Sequence, residues 1–156
     1  MKLSEVLNRD TIFIADSFSD TDDFYNSFSI FLKEKKIVTD SKKVRRLFIK
    51  RENIQSTAIG KGVATPHIFS EEFSDFIISI ALIRKGMPYK SPDNNNVFLV
   101  FLIMSNDRYV SFHLKSLANI ARLVSNTNMV DEIIKCKNEE ELYEKFLSIE
   151  KYLEEN

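Results

Sequence analysis

The sequence predicts a mixed α/β domain, built as a three-layer α/β/α sandwich in which a central mixed β-sheet is flanked by helices. Two nearly continuous apolar runs, at residues 76–83 and 97–104, have the length of strands and are rich in isoleucine, leucine and phenylalanine. Such runs are typical of strands that are buried on both faces. Segments whose apolar residues recur at helical spacing surround them. Helices are therefore expected on both faces of the sheet.

A chain of 156 residues is long enough for one domain with a sizeable core. We expect that domain at residues 1–149, followed by a charged, frayed tail at residues 150–156. The net charge of -1 provides no basic field for nucleic acid or an acidic membrane surface. The single cysteine, Cys136, has no partner for an internal disulfide, which fits a reducing compartment. Because the longest apolar run is too short to span a bilayer, we expect a cytoplasmic protein without direct membrane insertion.

The first third of the chain predicts two short elements and two helices. A helical turn is expected at residues 3–7 and a strand at residues 11–14. Amphipathic helices follow at residues 20–36 and 40–51, each opening with acidic or hydroxyl side chains that suit a helix N-terminus. Their apolar stripes are expected to face the core.

The second half of the chain predicts the rest of the sandwich. Residues 84–96, rich in proline, asparagine and aspartate, have the turn chemistry that separates two buried strands. After the second strand comes a helix that carries His113 and for which Ser111 can serve as N-cap. Two further helices are expected at residues 128–136 and 139–147.

The stretch RENIQSTAIGKGVATPHIFS, residues 51–70, contains most of the candidate site residues. Two of the chain's three glycines, Gly60 and Gly62, lie in it, and glycine allows main-chain N–H groups to approach a ligand closely. Such N–H groups suit an anion. His67 follows Pro66, whose fixed φ favours a stiff, extended loop. We interpret this stretch as a phosphate-handling site.

Two residues outside the glycine loop have two interpretations each. Arg51 stands at the end of a predicted helix, where its guanidinium can bind an anion with two hydrogen bonds. Alternatively it is a surface arginine that pairs with Glu52 or solvent. His113 is expected in the first turn of its helix, where the N–H groups and the dipole favour an anion. Alternatively it is an ordinary histidine at the edge of the core.

An imidazole at position 67 is expected to be largely neutral at cellular pH, so it can act as nucleophile, base or ligand. Two histidines and one cysteine without metal-ligand spacing do not support a metal site. No GxSxG motif supports a serine hydrolase. With a metal site and a serine hydrolase unsupported, phosphoryl transfer to the imidazole is the chemistry that we expect. A two-histidine phosphoesterase, with His67 as base and His113 as acid, is a more remote alternative because the balanced charge predicts no basic substrate groove.

Several stretches resemble one known family. The stretch at residues 51–70 resembles the phosphohistidine motif of the EIIA components of the bacterial phosphoenolpyruvate-dependent phosphotransferase system, fructose/mannitol type. An Arg-Glu pair, Ser-Thr, Gly-x-Gly and Pro-His recur there in this order. The later FHLKSLANIARLV and NEEELYEKF resemble two helices of the same family. The opening LSEVLNRD looks like the nitrogen-regulatory branch.

The resemblance implies a role for each candidate residue. His67 would be the phosphorylated nucleophile, and Arg51 and His113 would hold the phosphoryl group and compensate its charge. The family pattern and the glycine argument together give four expected phosphate-binding residues: Ser56, Thr57, Gly60 and Gly62. No metal or cofactor is implied.

The resemblance also implies partner proteins. Phospho-HPr or an HPr-like carrier would donate the phosphoryl group, and an EIIB or a regulated target protein would respond to it. A nitrogen-regulatory role, controlling targets by phosphorylation state, is expected first, and a sugar-uptake EIIA that donates to an EIIB is the alternative. A small, weak interface is expected around Ile68, Phe69, Met87 and Tyr109. Tyr89 stands where the family often has tryptophan, which bears on partner choice.

Overall fold

The computed structural model describes residues 2–156 as six helices packed on a six-stranded sheet. The helices are α1 (Leu3–Val6), α2 (Thr21–Glu34), α3 (Ser41–Ile54), α4 (Val110–Asn126), α5 (Met129–Ile133) and α6 (Glu139–Glu155). The strands are β1 (Phe13–Ala15), β2 (Ala58–Gly60), β3 (Val63–Ala64), β4 (His67–Phe69), β5 (Ile77–Met87) and β6 (Val97–Ser105). The prediction of a mixed sheet between helices is confirmed. In this part of the chain no helix combines the length and apolar character needed to cross a membrane.

The sheet has the strand order β1-β5-β6-β3-β2, and β4 pairs with β6 as well. The two long strands, β5 and β6, are antiparallel, whereas β1 runs parallel to β5 and both β3 and β4 run parallel to β6. Successive side chains of a strand point to opposite faces. Ile80 and Phe101 accordingly belong to one hydrophobic core, and Ala81 and Leu102 to the other. The sheet therefore separates two cores, as a three-layer sandwich requires.

One outer layer consists of α2 and α3. The side chains of Asp20 and Asp40 each accept a hydrogen bond from the backbone N–H three residues later, which starts these helices. The layer is rich in aromatic rings, and Tyr25 of α2 stacks on Phe48 of α3 at 5.0 Å between ring centroids. This packing holds the end of α3, with Arg51, against the sheet.

The other layer consists of α1, α4, α5 and α6, and α6 corrects one prediction. Instead of fraying at residues 150–156, the helix continues to Glu155. The carboxylate of Glu150 is 9% exposed and accepts hydrogen bonds from the backbone N–H of Leu3, at 2.8 Å, and from the hydroxyl of Ser4. Because a buried carboxylate needs such partners, the contact orders the end of α6 against α1.

Residues 51–70 also differ from the predicted loop, because they form the end of α3 and the three short strands β2, β3 and β4. His67 is the first residue of β4, so it is held by the sheet rather than by a stiff loop. Strands of two or three residues are too short to show an alternating pattern in sequence. β5 likewise extends beyond its predicted end to Met87, and its pairing with β6 shifts register near Gly86, which has a φ of 78°.

Candidate functional site

His67 lies near the C-terminal end of the central strand β6, where its backbone is in register with Ile103. Its side chain is half-buried. The Nδ1 atom is 3.1 Å from the carbonyl oxygen of Thr65. Since a carbonyl oxygen can only accept, Nδ1 carries the proton of the neutral ring. The free lone pair is therefore on Nε2, which is the nitrogen able to act as a nucleophile.

The surroundings of His67 favour its neutral form. Burial lowers its pKa below the ordinary value, and the hydrogen bond to the Thr65 carbonyl partly opposes that effect. The positive charge of Arg51 lowers the pKa further, while the negative charge of Glu52 raises it. The net pKa lies below 6.5. The lone pair on Nε2 is consequently available at neutral pH.

His113 is brought next to His67, with ring centroids 6.2 Å apart and ring planes at 75°. It is 2% exposed, and the ring of Phe69 stacks on it at 4.1 Å. Burial, together with the neighbouring His67, lowers the pKa of His113 to about 4. The ring is neutral at pH 7 as a result. Ser111 is not the N-cap of α4: Tyr109 occupies that position and makes no side-chain cap.

His113 also contacts a serine that no sequence pattern singles out. Nε2 of His113 is 2.7 Å from the hydroxyl of Ser105, the last residue of β6. Nδ1 of the same ring is buried and has no hydrogen-bond partner among residues 2–156. Leaving such an atom without a hydrogen bond costs about 1–3 kcal/mol. Unpaired buried polar atoms are therefore rare in native proteins, and this one needs an explanation. In the sequence Ser105 is only the first residue after the second apolar run.

Arg51 lies in the last turn of α3, within electrostatic reach of His67. Its Nη1 donates to the backbone carbonyl of Gln55 at 2.8 Å, which fixes the guanidinium at the end of the helix. A guanidinium has five N–H donors, so this bond leaves it able to bind an anion. The expected alternative, pairing with Glu52, is not favoured because that carboxylate makes its hydrogen bonds elsewhere.

Glu52 is a site residue that sequence reasoning treated only as a possible partner of arginine. Its carboxylate accepts hydrogen bonds from the backbone N–H of Thr57 at 2.6 Å, from the hydroxyl of Thr57 at 2.7 Å, and from the phenol of Tyr25 at 2.7 Å. The phenol of Tyr89 also donates to it. Burial raises the pKa of both tyrosines, which keeps them protonated as donors. No sequence spacing links these positions, so only the fold reveals the network.

The two hydroxyl residues of the motif lie in different contacts. Thr57 is 5% exposed, and its backbone carbonyl accepts the N–H of Thr65 at 2.9 Å. Because the carbonyl of Thr65 in turn contacts His67, a chain of hydrogen bonds runs from Glu52 to the imidazole. The hydroxyl of Ser56 donates to a backbone carbonyl in the loop before β6. Contact of either hydroxyl with a phosphoryl group stays a prediction.

Gly60 and Gly62 lie away from His67, so this position does not support their expected contact with a phosphoryl group, which stays a prediction. They flank the turn between β2 and β3, with φ values of 91° and 78°. The carbonyl of Gly62 accepts the N–H of Leu99 near the start of β6, whereas His67 is in register with Ile103 near its end. At about 3.3 Å per residue, these positions are roughly 13 Å apart along the strand. The glycines shape a tight turn.

An apolar surface lies beside the two histidines. Of the four residues expected to contact a partner, Phe69 is 38% exposed and Tyr109 is partly exposed, but Ile68 and Met87 are in the core. The first turns of α4 add exposed apolar residues that were not expected, Val110, Phe112 and Leu114. We call this set of exposed and partly exposed residues the α4 surface: Phe69, Tyr109, Val110, Phe112 and Leu114.

Comparison with known proteins gives a family match over residues 5–149, to the family described as "Phosphoenolpyruvate-dependent sugar phosphotransferase system, EIIA 2". The chain is 29% identical over 100 residues to a nitrogen regulatory protein of Bradyrhizobium diazoefficiens, an alignment that covers 64% of this chain and 65% of that protein. It is 34% identical over 95 residues to the mannitol-specific phosphotransferase enzyme IIA component of Bacillus subtilis, covering 59% and 63%. For the fructose-specific EIIABC component of Bacillus subtilis the identity is 23% over 140 residues, covering 90% and 22%. The chain thus spans less than two thirds of the length of these relatives.

Solved structures share the fold. The crystal structure of nitrogen regulatory protein IIA-Ntr from Neisseria meningitidis is 20% identical, with a TM-score of 0.81 over 92% of this chain and 97% of that chain. The enzyme IIA of mannitol from Escherichia coli, solved in complex with phosphorylated enzyme IIB, is 12% identical, with a TM-score of 0.73 over 90% and 96%. At these identities the likeness concerns the fold alone.

Proposed function

Because the chain belongs to the EIIA type-2 family of the phosphoenolpyruvate-dependent sugar phosphotransferase system, we propose that it is a phosphocarrier that is phosphorylated on His67. The phosphoryl group comes from phospho-HPr or an HPr-like protein and passes on to a further protein. The observation that carries the proposal is the hydrogen bond between His67 Nδ1 and the Thr65 carbonyl, which leaves Nε2 unprotonated. Nε2 is the atom that we assign to the bond with phosphorus.

Transfer requires one bond to form and one to break. The lone pair of His67 Nε2 attacks phosphorus in line, the N–P bond to the carrier's histidine breaks, and its electron pair returns to that ring. His67 keeps its Nδ1 proton on the Thr65 carbonyl throughout. The same steps in reverse deliver the group to the next protein.

A phosphoryl group adds a charge of about −1.5 to −2, which the site has to compensate. Arg51 supplies a fixed positive charge from α3, and its field already acts on His67. His113 is near enough to contact a phosphoryl oxygen, given the 6.2 Å between the two ring centroids. Groups placed in advance around developing charge are the main source of catalysis in reactions of this kind. The α4 surface offers apolar contact area for a brief encounter with a carrier.

The test is phosphorylation in a reconstituted system. The protein is incubated with phosphoenolpyruvate, the first enzyme of the phosphotransferase system and HPr, and its intact mass is measured. We expect one acid-labile phosphate on the wild type and none on His67→Ala. A phosphate that remains on His67→Ala, or no phosphate on the wild type, would overturn the proposal.

We infer that the chain belongs to the nitrogen-regulatory branch, in which the phosphorylation state controls a target protein. The opening LSEVLNRD and the nitrogen regulatory relatives support this inference. The sugar-uptake alternative is favoured by the 34% identity to a mannitol-specific component. Fructose-type and mannitol-type EIIB proteins distinguish the two when they are mixed with the phosphorylated chain. Rapid loss of phosphate to an EIIB supports sugar uptake, and retention of the phosphate supports the regulatory role.

A further inference from the structure

Ser105 and His113 share a contact whose proton can be assigned. The Ser105 hydroxyl has a single proton, and its oxygen is 2.8 Å from the carbonyl oxygen of Asn106 and 2.7 Å from His113 Nε2. A carbonyl oxygen only accepts, so the bond to Asn106 uses the serine proton. Both bonds exist together only if Nε2 of His113 carries a proton and donates it to the serine oxygen.

The lone pair of neutral His113 is therefore on Nδ1. The opposite tautomer would break the bond from Ser105 to Asn106 and bury an unpaired N–H, and orphaned buried N–H groups are rarer than under-satisfied acceptors. His113 is 2% exposed, and within the described residues Nδ1 has no partner. Phe69 stacks on the ring at 4.1 Å and Phe76 meets it edge-on at 5.4 Å, so the ring is held on two sides.

A lone pair at this position does not suit a phosphorylated neighbour. Phosphoryl oxygens are acceptors, so a phosphoryl group beside Nδ1 would be repelled by the lone pair on that atom. A proton on Nδ1 would replace that repulsion by a charge-assisted hydrogen bond. The 6.2 Å between the ring centroids of His67 and His113 leaves room for a phosphoryl oxygen between a nitrogen of each ring.

We propose that Ser105 is a positioning residue that holds His113 as the Nε2–H tautomer, so that phosphorylation of His67 draws a proton onto His113 Nδ1. The inference rests on the proposed function of His67. The proton comes from solvent, and about one enters for each phosphoryl group. His113 becomes an imidazolium that donates to Ser105 from Nε2 and to the phosphoryl group from Nδ1. When the phosphoryl group leaves, the same proton returns to solvent.

The charges around His113 agree with this coupling. His67 on β4 is the titratable group that acts on it, and in the described residues α4 itself contributes no other. Arg51 and Glu52 on α3 act on His67 with opposite signs. Ser105, Phe69 and Phe76, which also contact the ring, are uncharged. Phosphorylation therefore replaces a neutral neighbour by a strongly negative one, which raises the pKa of His113.

Nitrogen-15 NMR of the histidine side chains tests the tautomer in the unphosphorylated protein. The expected spectrum at pH 7 shows neutral His113 with its proton on Nε2, in the wild type and in Ser105→Thr, which keeps a hydroxyl. Ser105→Ala should lose that preference and show a mixture of tautomers. A proton on Nδ1 in the unphosphorylated wild type would overturn the inference and leave the proposed function untouched.

The same measurement on the phosphorylated wild type tests the proton uptake. We expect a doubly protonated His113 at pH 5.5, where the ring of the unphosphorylated protein is neutral, and a titration midpoint raised by about two to three pKa units relative to the unphosphorylated protein. The phosphorylation equilibrium with HPr should weaken as pH rises, and Ser105→Ala should show a flatter dependence. If His67 is phosphorylated and His113 stays neutral, the inference is wrong but the proposed function stands. Absence of phosphate on the wild type removes the proposed function as well.

Discussion

Glu52 and Thr57 are joined twice, since the carboxylate accepts both the backbone N–H of Thr57 at 2.6 Å and its hydroxyl at 2.7 Å. This pair connects the last turn of α3, which carries Arg51, to the start of β2. Backbone hydrogen bonds continue the connection through Thr65 to His67. The position of His67 thus depends on the carboxylate of Glu52, to which it is linked through hydrogen bonds of Thr57 and Thr65.

Replacing Glu52 by glutamine should lower both stability and transfer rate. Glutamine keeps the shape but offers a neutral amide to donors that now bind a carboxylate. We expect the free energy of unfolding to fall by about 1–3 kcal/mol. A displaced imidazole should slow phosphorylation roughly 10- to 100-fold. Urea unfolding and the rate of mass increase measure the two effects. Glu144→Gln, on the exposed face of α6, is the control, and equal stability of the two variants would contradict the role of the network.

Replacing Arg51 by glutamine should slow transfer with little loss of stability. The side chain is partly exposed, and its bond to Gln55 is a single helix-end contact, so we expect a stability change below about 1 kcal/mol. Loss of the positive charge that faces the phosphoryl group should slow phosphorylation roughly 100-fold. Single-turnover mass spectrometry measures the rate. Arg46→Gln, exposed on the same helix, should transfer at the wild-type rate; if the two variants transfer equally fast, Arg51 does not compensate the charge.

Replacing Leu114 by serine should weaken the encounter with the carrier. Leu114 is 66% exposed within the α4 surface, so its removal should leave the fold intact. We expect the KM for phospho-HPr to rise roughly 3- to 10-fold while kcat is unchanged, because uniform binding is lost. Ile30→Ser is the matched control, since Ile30 is 45% exposed on α2 in the opposite layer. A KM that rises equally in both variants would place the interface elsewhere.

Replacing Gly62 by alanine should destabilise the protein without slowing transfer. Gly62 has a φ of 78°, and a Cβ there would meet the Phe98 ring at 3.4 Å. We expect a loss of about 1–2 kcal/mol in the free energy of unfolding. Lys61→Gly in the same turn is the control: Lys61 has a φ of 57°, so glycine should be neutral or stabilising there. Slower phosphorylation of a fully folded Gly62→Ala would contradict this expectation and indicate that Gly62 takes part in binding the phosphoryl group.

The burial of His113 should make stability pH-dependent. Its pKa is about 4 in the folded protein and ~6.5 when unfolded. Between these values the unfolded chain binds a proton that the folded chain does not, so stability is complete above the upper value and falls as pH drops toward 4. The shift corresponds to roughly 3 kcal/mol. Carboxylates titrate nearby, so the measurement is the difference between wild type and His113→Asn, whose stability should fall less steeply. Equal slopes would contradict the assignment.

The layers of the fold could be predicted from sequence because their signals are long. The strands β5 and β6 overlap with the nearly continuous apolar runs at residues 76–83 and 97–104, and the helices repeat their apolar stripe over several turns. Arg51, His67 and His113 could be proposed because one motif and one helix carry them. The structure brings both histidines together and places Arg51 where its charge acts on His67.

The rest could not be predicted because it depends on contacts between distant residues. Gly60 and Gly62 are five to seven positions from His67 in sequence, but two short strands carry them to the other end of β6. Ser105 becomes part of the site only when α4 folds back over the end of β6. In the sequence the end of α6 resembles a charged tail. Only the fold shows that Glu150 accepts a hydrogen bond from the backbone of the first helix.

That contact between Glu150 and Leu3 joins residues 147 positions apart. Closing so long a loop is slow compared with forming local helices and hairpins. During synthesis α1 therefore leaves the ribosome well before Glu150, which accepts its hydrogen bond, has been added to the chain. The contact can form only after α6 has emerged. A chain that stops before Glu150 would lack the hydrogen bonds that hold α1 against α6.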